Sequence, residues 1–145
     1  MAEMVEGRTV EPRVRALSEP ARQAFRALHI GFVVAPTLAG LDKFAQVMTA
    51  WDQYLAPAVA RMLPFSARTF MMIVGVVEIV AGLLVALKPR IGGYVVAAWL
   101  AGIIINLLIG GQYLDVALRD VGLMIGAFAL ARLATADEQG RLPAG

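Results

Sequence analysis

Seven polar residues stand inside or at the edges of stretches that are otherwise apolar: Asp42, Lys43, Glu78, Asn106, Asp115, Arg119 and Asp120. Carboxylic acids in such surroundings can hold and release protons, which makes Glu78 and Asp120 the candidate proton carriers. A lysine, an arginine and an amide are hydrogen-bond donors for carbonyl oxygens, so Lys43, Asn106 and Arg119, with Asp42 and Asp115, form a candidate set for binding a polar headgroup. Asp115 and Arg119 are four residues apart, the spacing at which acid and base pair along one helical face. The same residues also suit an interhelical network that fixes helix register, and the residue types alone leave both readings open.

Other chemistries are narrowed by what the chain lacks. There is no cysteine and one histidine, His29, which excludes disulfides, thiolate-held iron–sulfur clusters and a bis-histidine haem within one chain. No tightly bound cofactor and no metal site are expected, and any redox partner must be diffusible or borrowed. His29 is expected to hydrogen-bond a backbone carbonyl or a lipid headgroup, with ligation of a borrowed haem as the alternative.

The elements that must position these residues are membrane helices. Of 145 residues, 59% are hydrophobic and 17% charged, with a mean hydropathy of +0.71, and the apolar residues run continuously instead of alternating. Four spans are expected, at Phe25–Phe44, Phe70–Leu87, Ile91–Leu114 and Val116–Leu133. The fold class is therefore an all-α integral membrane four-helix bundle. Residues 1–23 form a polar cytoplasmic tail, 24–134 the transmembrane domain and 135–145 a second cytoplasmic tail. Only the third span is free of charge, and helices that carry charge in a bilayer usually face one another.

Although the pI is near 9.4, the basic residues flank spans and do not cluster on a polar domain, so they set orientation and predict no nucleic-acid partner. Arg8, Arg13, Arg15, Arg22, Arg26, Lys88, Arg90, Arg132 and Arg141 share one side, against Lys43, Arg61 and Arg68 on the other. Both termini are thus expected in the cytoplasm of a bacterial-type inner membrane. Counting about 1.5 Å per residue, Asp42 and Lys43 fall at the outer end of the first span, and Asn106, Asp115, Arg119 and Asp120 near the outer ends of the third and fourth. Glu78 falls near the midplane. Polar groups from all four spans converge on the outer half.

Between the first and second spans, Trp51, Tyr54, Leu55, Val59 and Met62 recur at helical spacing, which predicts an amphipathic interfacial segment, read as a lid or as an aromatic anchor. Gly31, Ala35 and Ala39 form a small-residue stripe, and Gly122 with Gly126 a GxxxG. Both are expected to carry helix contacts, within the chain or in a homo-oligomer. No internal repeat is evident, which disfavours an inverted-repeat transporter.

Three stretches, "GLDKF", "GVVEIVAGLLVAL" and "LRDVGLMIGAFALARL", together resemble the DoxX family, which includes the DoxD-type small membrane subunit of thiosulfate:quinone oxidoreductases. The resemblance covers about Leu28 to Leu133, and its matching polar positions are Asp42, Lys43, Glu78 and Asp120. It implies a four-helix membrane bundle and, for some members, a place in complexes that pass electrons to quinone. The expected function is a small subunit of a quinone-linked redox complex, not catalytic alone, with quinone as the candidate ligand in an outer-leaflet polar cavity. The alternative is a non-catalytic accessory or assembly subunit. The expected partners are membrane lipid and either a larger membrane complex or a homo-oligomer.

Overall fold

The structure, a computed structural model, describes the backbone of residues 2–140 and the side chains of residues 18–140. Arg8, Arg13, Arg15 and Arg141, used above for orientation, have side chains outside the described residues. The elements are α1 (Ala2–Ala45), a 3-10 turn (Trp51–Tyr54), α2 (Pro57–Ala60), α3 (Ala67–Leu87), α4 (Pro89–Gly110) and α5 (Leu114–Glu138). Among the described residues the chain is helical with no strand. Three segments, Ser18–Ala45, Ala67–Leu87 and Pro89–Gly110, are long and apolar enough to cross a membrane.

The stretch expected as the fourth span forms the helix α5, but Asp115, Arg119, Asp120 and Arg132 leave it outside the composition shared by those three. The third expected span ends early. Gly111 adopts a left-handed φ of 71° and returns its N–H to the Leu107 carbonyl, closing α4 before Leu114, which opens α5. At the other junction, Lys88 alone separates α3 from α4, and Pro89 takes the first helical position, where its missing N–H costs nothing.

The long helices pack in antiparallel pairs, α1 with α3 and α4 with α5, and the pairs meet through α3–α4 and α1–α5 contacts. The start of α1 and the end of α5 consequently lie at one end, called here the terminal end, and the α1–α3 and α4–α5 connections at the other, the loop end. The close approaches are made by glycines that the sequence pattern did not single out. A methyl group on Gly75 would stand 2.7 Å from the Gly40 carbonyl oxygen, and one on Gly93 2.9 Å from the Ala127 carbonyl. Gly31 and Gly122 would meet nothing within 4 Å, and only Gly126 of the GxxxG touches a neighbour, Phe32. The expected stripe on α1 points outward at Gly31 and Ala35, because small-residue spacing identifies a helix face and not what covers it.

Two apolar clusters form the interior. One, at the terminal end, joins Phe25, Val85, Val96, Leu100, Ala127 and Leu130. The other, at the loop end, joins Leu55, Met71 and Val74 with Trp51 and Trp99 packed against them. Along α3, Glu78 sits between the two. Outside, all four long helices present apolar side chains, among them Leu38, Val80, Leu108 and Leu118. A water-soluble helix would show a polar face there.

Helix α1 stops short of its neighbour. Lys43 and Phe44, in its last turn, stand beside Gly75, so roughly 12 Å of α3, about two turns, rises beyond the end of α1. The chain from 46 to 66 folds into that gap. It forms no continuous amphipathic helix, only the 3-10 turn and the single turn of α2, with Leu55 and Ala56 buried.

If the α1–α3 contact is the tight one, Gly75→Ala should lower stability by about 1–3 kcal/mol through overpacking. Gly31→Ala should stay within about 0.5 kcal/mol of wild type. Thermal unfolding in detergent micelles separates the two outcomes.

Candidate functional site

Asp42 and Lys43 are neighbours in sequence with separate tasks. The α1 helix ends as Gln46 turns into the left-handed region at φ 51° and gives its N–H to the Asp42 carbonyl at 2.6 Å. The backbone donors that follow have no helical partner. The Asp42 carboxylate accepts them, from Val47 N–H at 2.9 Å and Met48 N–H at 3.1 Å, and also accepts from Trp51 Nε1 at 2.8 Å. Asp42 therefore shapes the start of the inward-folding segment.

Lys43 points the other way. Its Nζ donates to Glu78 Oε2 at 2.6 Å and lies 3.7 Å from the centroid of the Trp51 ring. The lysine is 3% exposed and Glu78 7%, so the charges are held between an anion and an aromatic face with almost no water. Asp120, 4% exposed, comes from α5 close enough for its charge to act on Glu78. Arg119 reaches back to Asp120 with Nη2–Oδ1 at 3.1 Å, its own side chain 65% exposed. A chain of charge thus runs from the rim inward: Arg119, Asp120, Glu78, Lys43.

From α4, the indole of Trp99 turns its buried Nε1 toward the Glu78 carboxylate without reaching a hydrogen bond of ordinary geometry. The layer thus holds two buried carboxylates, Glu78 and Asp120, with the Lys43 ammonium and the Trp99 indole beside Glu78.

The structure brings Lys43, Glu78 and Asp120 together, with Arg119 at the rim and Asp42 alongside. Two expectations change. Arg119 pairs with Asp120 and not with Asp115, which is exposed, because Asp120 projects into the bundle and draws the guanidinium across the helix. Asn106 does not join the acids. Its Nδ2 donates to the Tyr54 carbonyl at 2.8 Å and its Oδ1 accepts from the Ala56 N–H at 2.9 Å, pinning the inward-folding segment to α4.

His29 bonds a backbone carbonyl, as one of the expectations had it, through Nε2 to Val85 O at 2.8 Å, and stacks on Phe25. Trp51 and Trp99 were not read as site residues. The available signal was that a buried indole needs an acceptor, and acids were near in the count of depth. Among the described residues no group of three or more acids or histidines is placed to hold a metal ion. Compared with protein families, curated proteins and solved structures, the chain gives no match.

Removing one member of the Lys43–Glu78 pair strands the other. Lys43→Met should cost about 3–5 kcal/mol, and Lys43→Met with Glu78→Leu should recover most of it; chemical unfolding in micelles gives both values. Asn106→Ala should free the segment around Tyr54 and Ala56 without disturbing that pair. Limited proteolysis should then cut between residues 46 and 66 at least several times faster than in wild type, with the helices intact.

Proposed function

We propose that the chain is a four-helix integral membrane protein of DoxX type, the small subunit of a quinone-linked redox assembly. Its buried charged layer receives the headgroup of the quinone. The observation that carries this reading is the Trp99 indole N–H, a buried donor turned toward the Glu78 carboxylate beside Lys43 without a hydrogen bond of ordinary geometry. A quinone carbonyl oxygen is an acceptor of the right kind for it. Reduction to the quinol takes up two electrons, supplied by a partner subunit, and two protons, for which Asp120 and Glu78 provide the route from the rim. In this arrangement α5 crosses the bilayer with the other three helices. Its outward Leu118, Ile125 and Phe128 favour lipid contact, and its charges Arg119 and Asp120 belong to the layer. The side assignment, with both termini cytoplasmic in a bacterial-type inner membrane, rests on the lysine and arginine count near the span ends.

A second reading is favoured by a specific observation. Lys43 with Glu78 and Asp42 with Trp51 leave those charges satisfied from within the chain, which is what a register-fixing network needs. In that case the chain is an accessory subunit that stabilises a larger complex through its apolar outer faces, and no quinone is bound.

Titration of the purified protein with a short-chain quinone, followed by tryptophan quenching, decides between them. Trp99→Phe should weaken binding roughly tenfold, the loss of about one hydrogen bond. Glu78→Gln with Arg119→Ala should abolish proton uptake on reduction of bound quinone. Binding that is absent in wild type, or unchanged in both variants, would overturn the redox reading.

A further inference from the structure

At the terminal end, where α3 turns into α4, an open groove of about 600 Å³ is lined by Leu87, Lys88, Arg90, Ile91, Tyr94 and Glu138. It lies on the far side of the molecule from the charged layer. We propose that this groove is a binding site for an anionic phospholipid, with the headgroup phosphate held by Lys88, Arg90 and Arg132.

The charge balance of the groove favours an anion. Lys88 forms no ion pair among the described residues. Arg132 reaches the Tyr94 hydroxyl at 3.5 Å. Arg90 is paired with Glu138 at 3.3 Å, but both side chains are half exposed, at 52% and 51%, so the guanidinium keeps donors free. Two cations, Lys88 and Arg90, therefore line the groove with one carboxylate, Glu138, and Arg132 stands next to it through the Tyr94 hydroxyl. A phosphate diester supplies the missing negative charge and takes charge-assisted bonds from ammonium and guanidinium groups.

The position and the walls select a lipid over a soluble anion. The groove lies at the joint of two helices that are each apolar enough to span a bilayer, the depth at which lysine, arginine and tyrosine meet headgroups. Its apolar rim continues along the outside of the helices. Leu87 is 72% exposed, and Tyr94 packs edge-on against the outward Phe128 with ring centroids 6.1 Å apart. An acyl chain can lie along this surface while the phosphate sits among the cations. A zwitterionic headgroup would bring a cation of its own against Lys88 and Arg90, so the anionic class is preferred.

Native mass spectrometry of the full chain in micelles, titrated with phosphatidylglycerol, phosphatidylcholine and glycerol phosphate, tests the assignment. Phosphatidylglycerol should be retained roughly tenfold better than phosphatidylcholine. Lys88→Gln with Arg132→Gln should remove that preference, about a tenfold loss for two interfacial cations. Glu138→Gln, which deletes the competing carboxylate, should tighten phosphatidylglycerol binding about twofold or more. Equal retention of the two lipids, or wild-type retention by the double variant, would overturn the site. Glycerol phosphate binding as tightly as phosphatidylglycerol would overturn the lipid as its occupant.

Discussion

The contact between Lys43 and Glu78 sets the terms for much of the loop half of the molecule. Opposite charges 2.6 Å apart with almost no water around them are held by strong mutual attraction, and each is costly to leave alone. The pair ties the last turn of α1 to the middle of α3, and that register fixes where α1 must stop. Because it stops about two turns short of the level at which α3 begins, a space opens that lipid or water would otherwise enter. The inward-folding segment fills it, and the Trp51 ring it contributes covers Lys43 from the open side.

Irregular backbone packed between helices must have its polar groups satisfied by the protein. Here the partners come from three helices. Asp42 on α1 takes the donors at Val47 and Met48, Asn106 on α4 serves Tyr54 and Ala56, and Arg68 on α3 donates to the Phe44 carbonyl at 3.0 Å. Across the loop end, Tyr54 meets Tyr113 edge-on and Tyr113 reaches Gln53, so the two loop-end connections are joined as well. The pair Asp42–Lys43 is thus a branch point: one residue organises the segment that closes the end, the other anchors the charge beneath it.

Three membrane-length helices were legible because continuous apolar runs long enough for a bilayer leave few alternatives, whereas the charges of α5 set it apart from them. The depth count also brought Glu78, Lys43 and Asp120 near one another, since residues in antiparallel helices meet at predictable heights. Facing was not legible. Gly31, Ala35 and Gly122 have the spacing of packing residues and point outward, whereas Gly40, Gly75 and Gly93, with less conspicuous spacing, make the close approaches. The Asp115–Arg119 spacing fitted an ion pair, but the stronger demand of a buried Asp120 drew the arginine away. Asn106 lay at the right depth for the acids, yet was needed by the backbone of a segment whose inward fold no periodicity reveals.

In the proposed redox reading, a ligand in the charged layer takes the Trp99 N–H beside Glu78, and the buried Asp120 leads protons to it from the Arg119 rim. The most direct measurement is mass spectrometry of the intact assembly released gently from its native membrane, recording bound small molecules together with co-purifying chains. About one quinone per copy of the chain, accompanied by a redox subunit, is the result expected of a quinone site. A larger partner with no quinone would contradict it and leave Lys43, Glu78 and Asp120 as the lock that holds the helices in register.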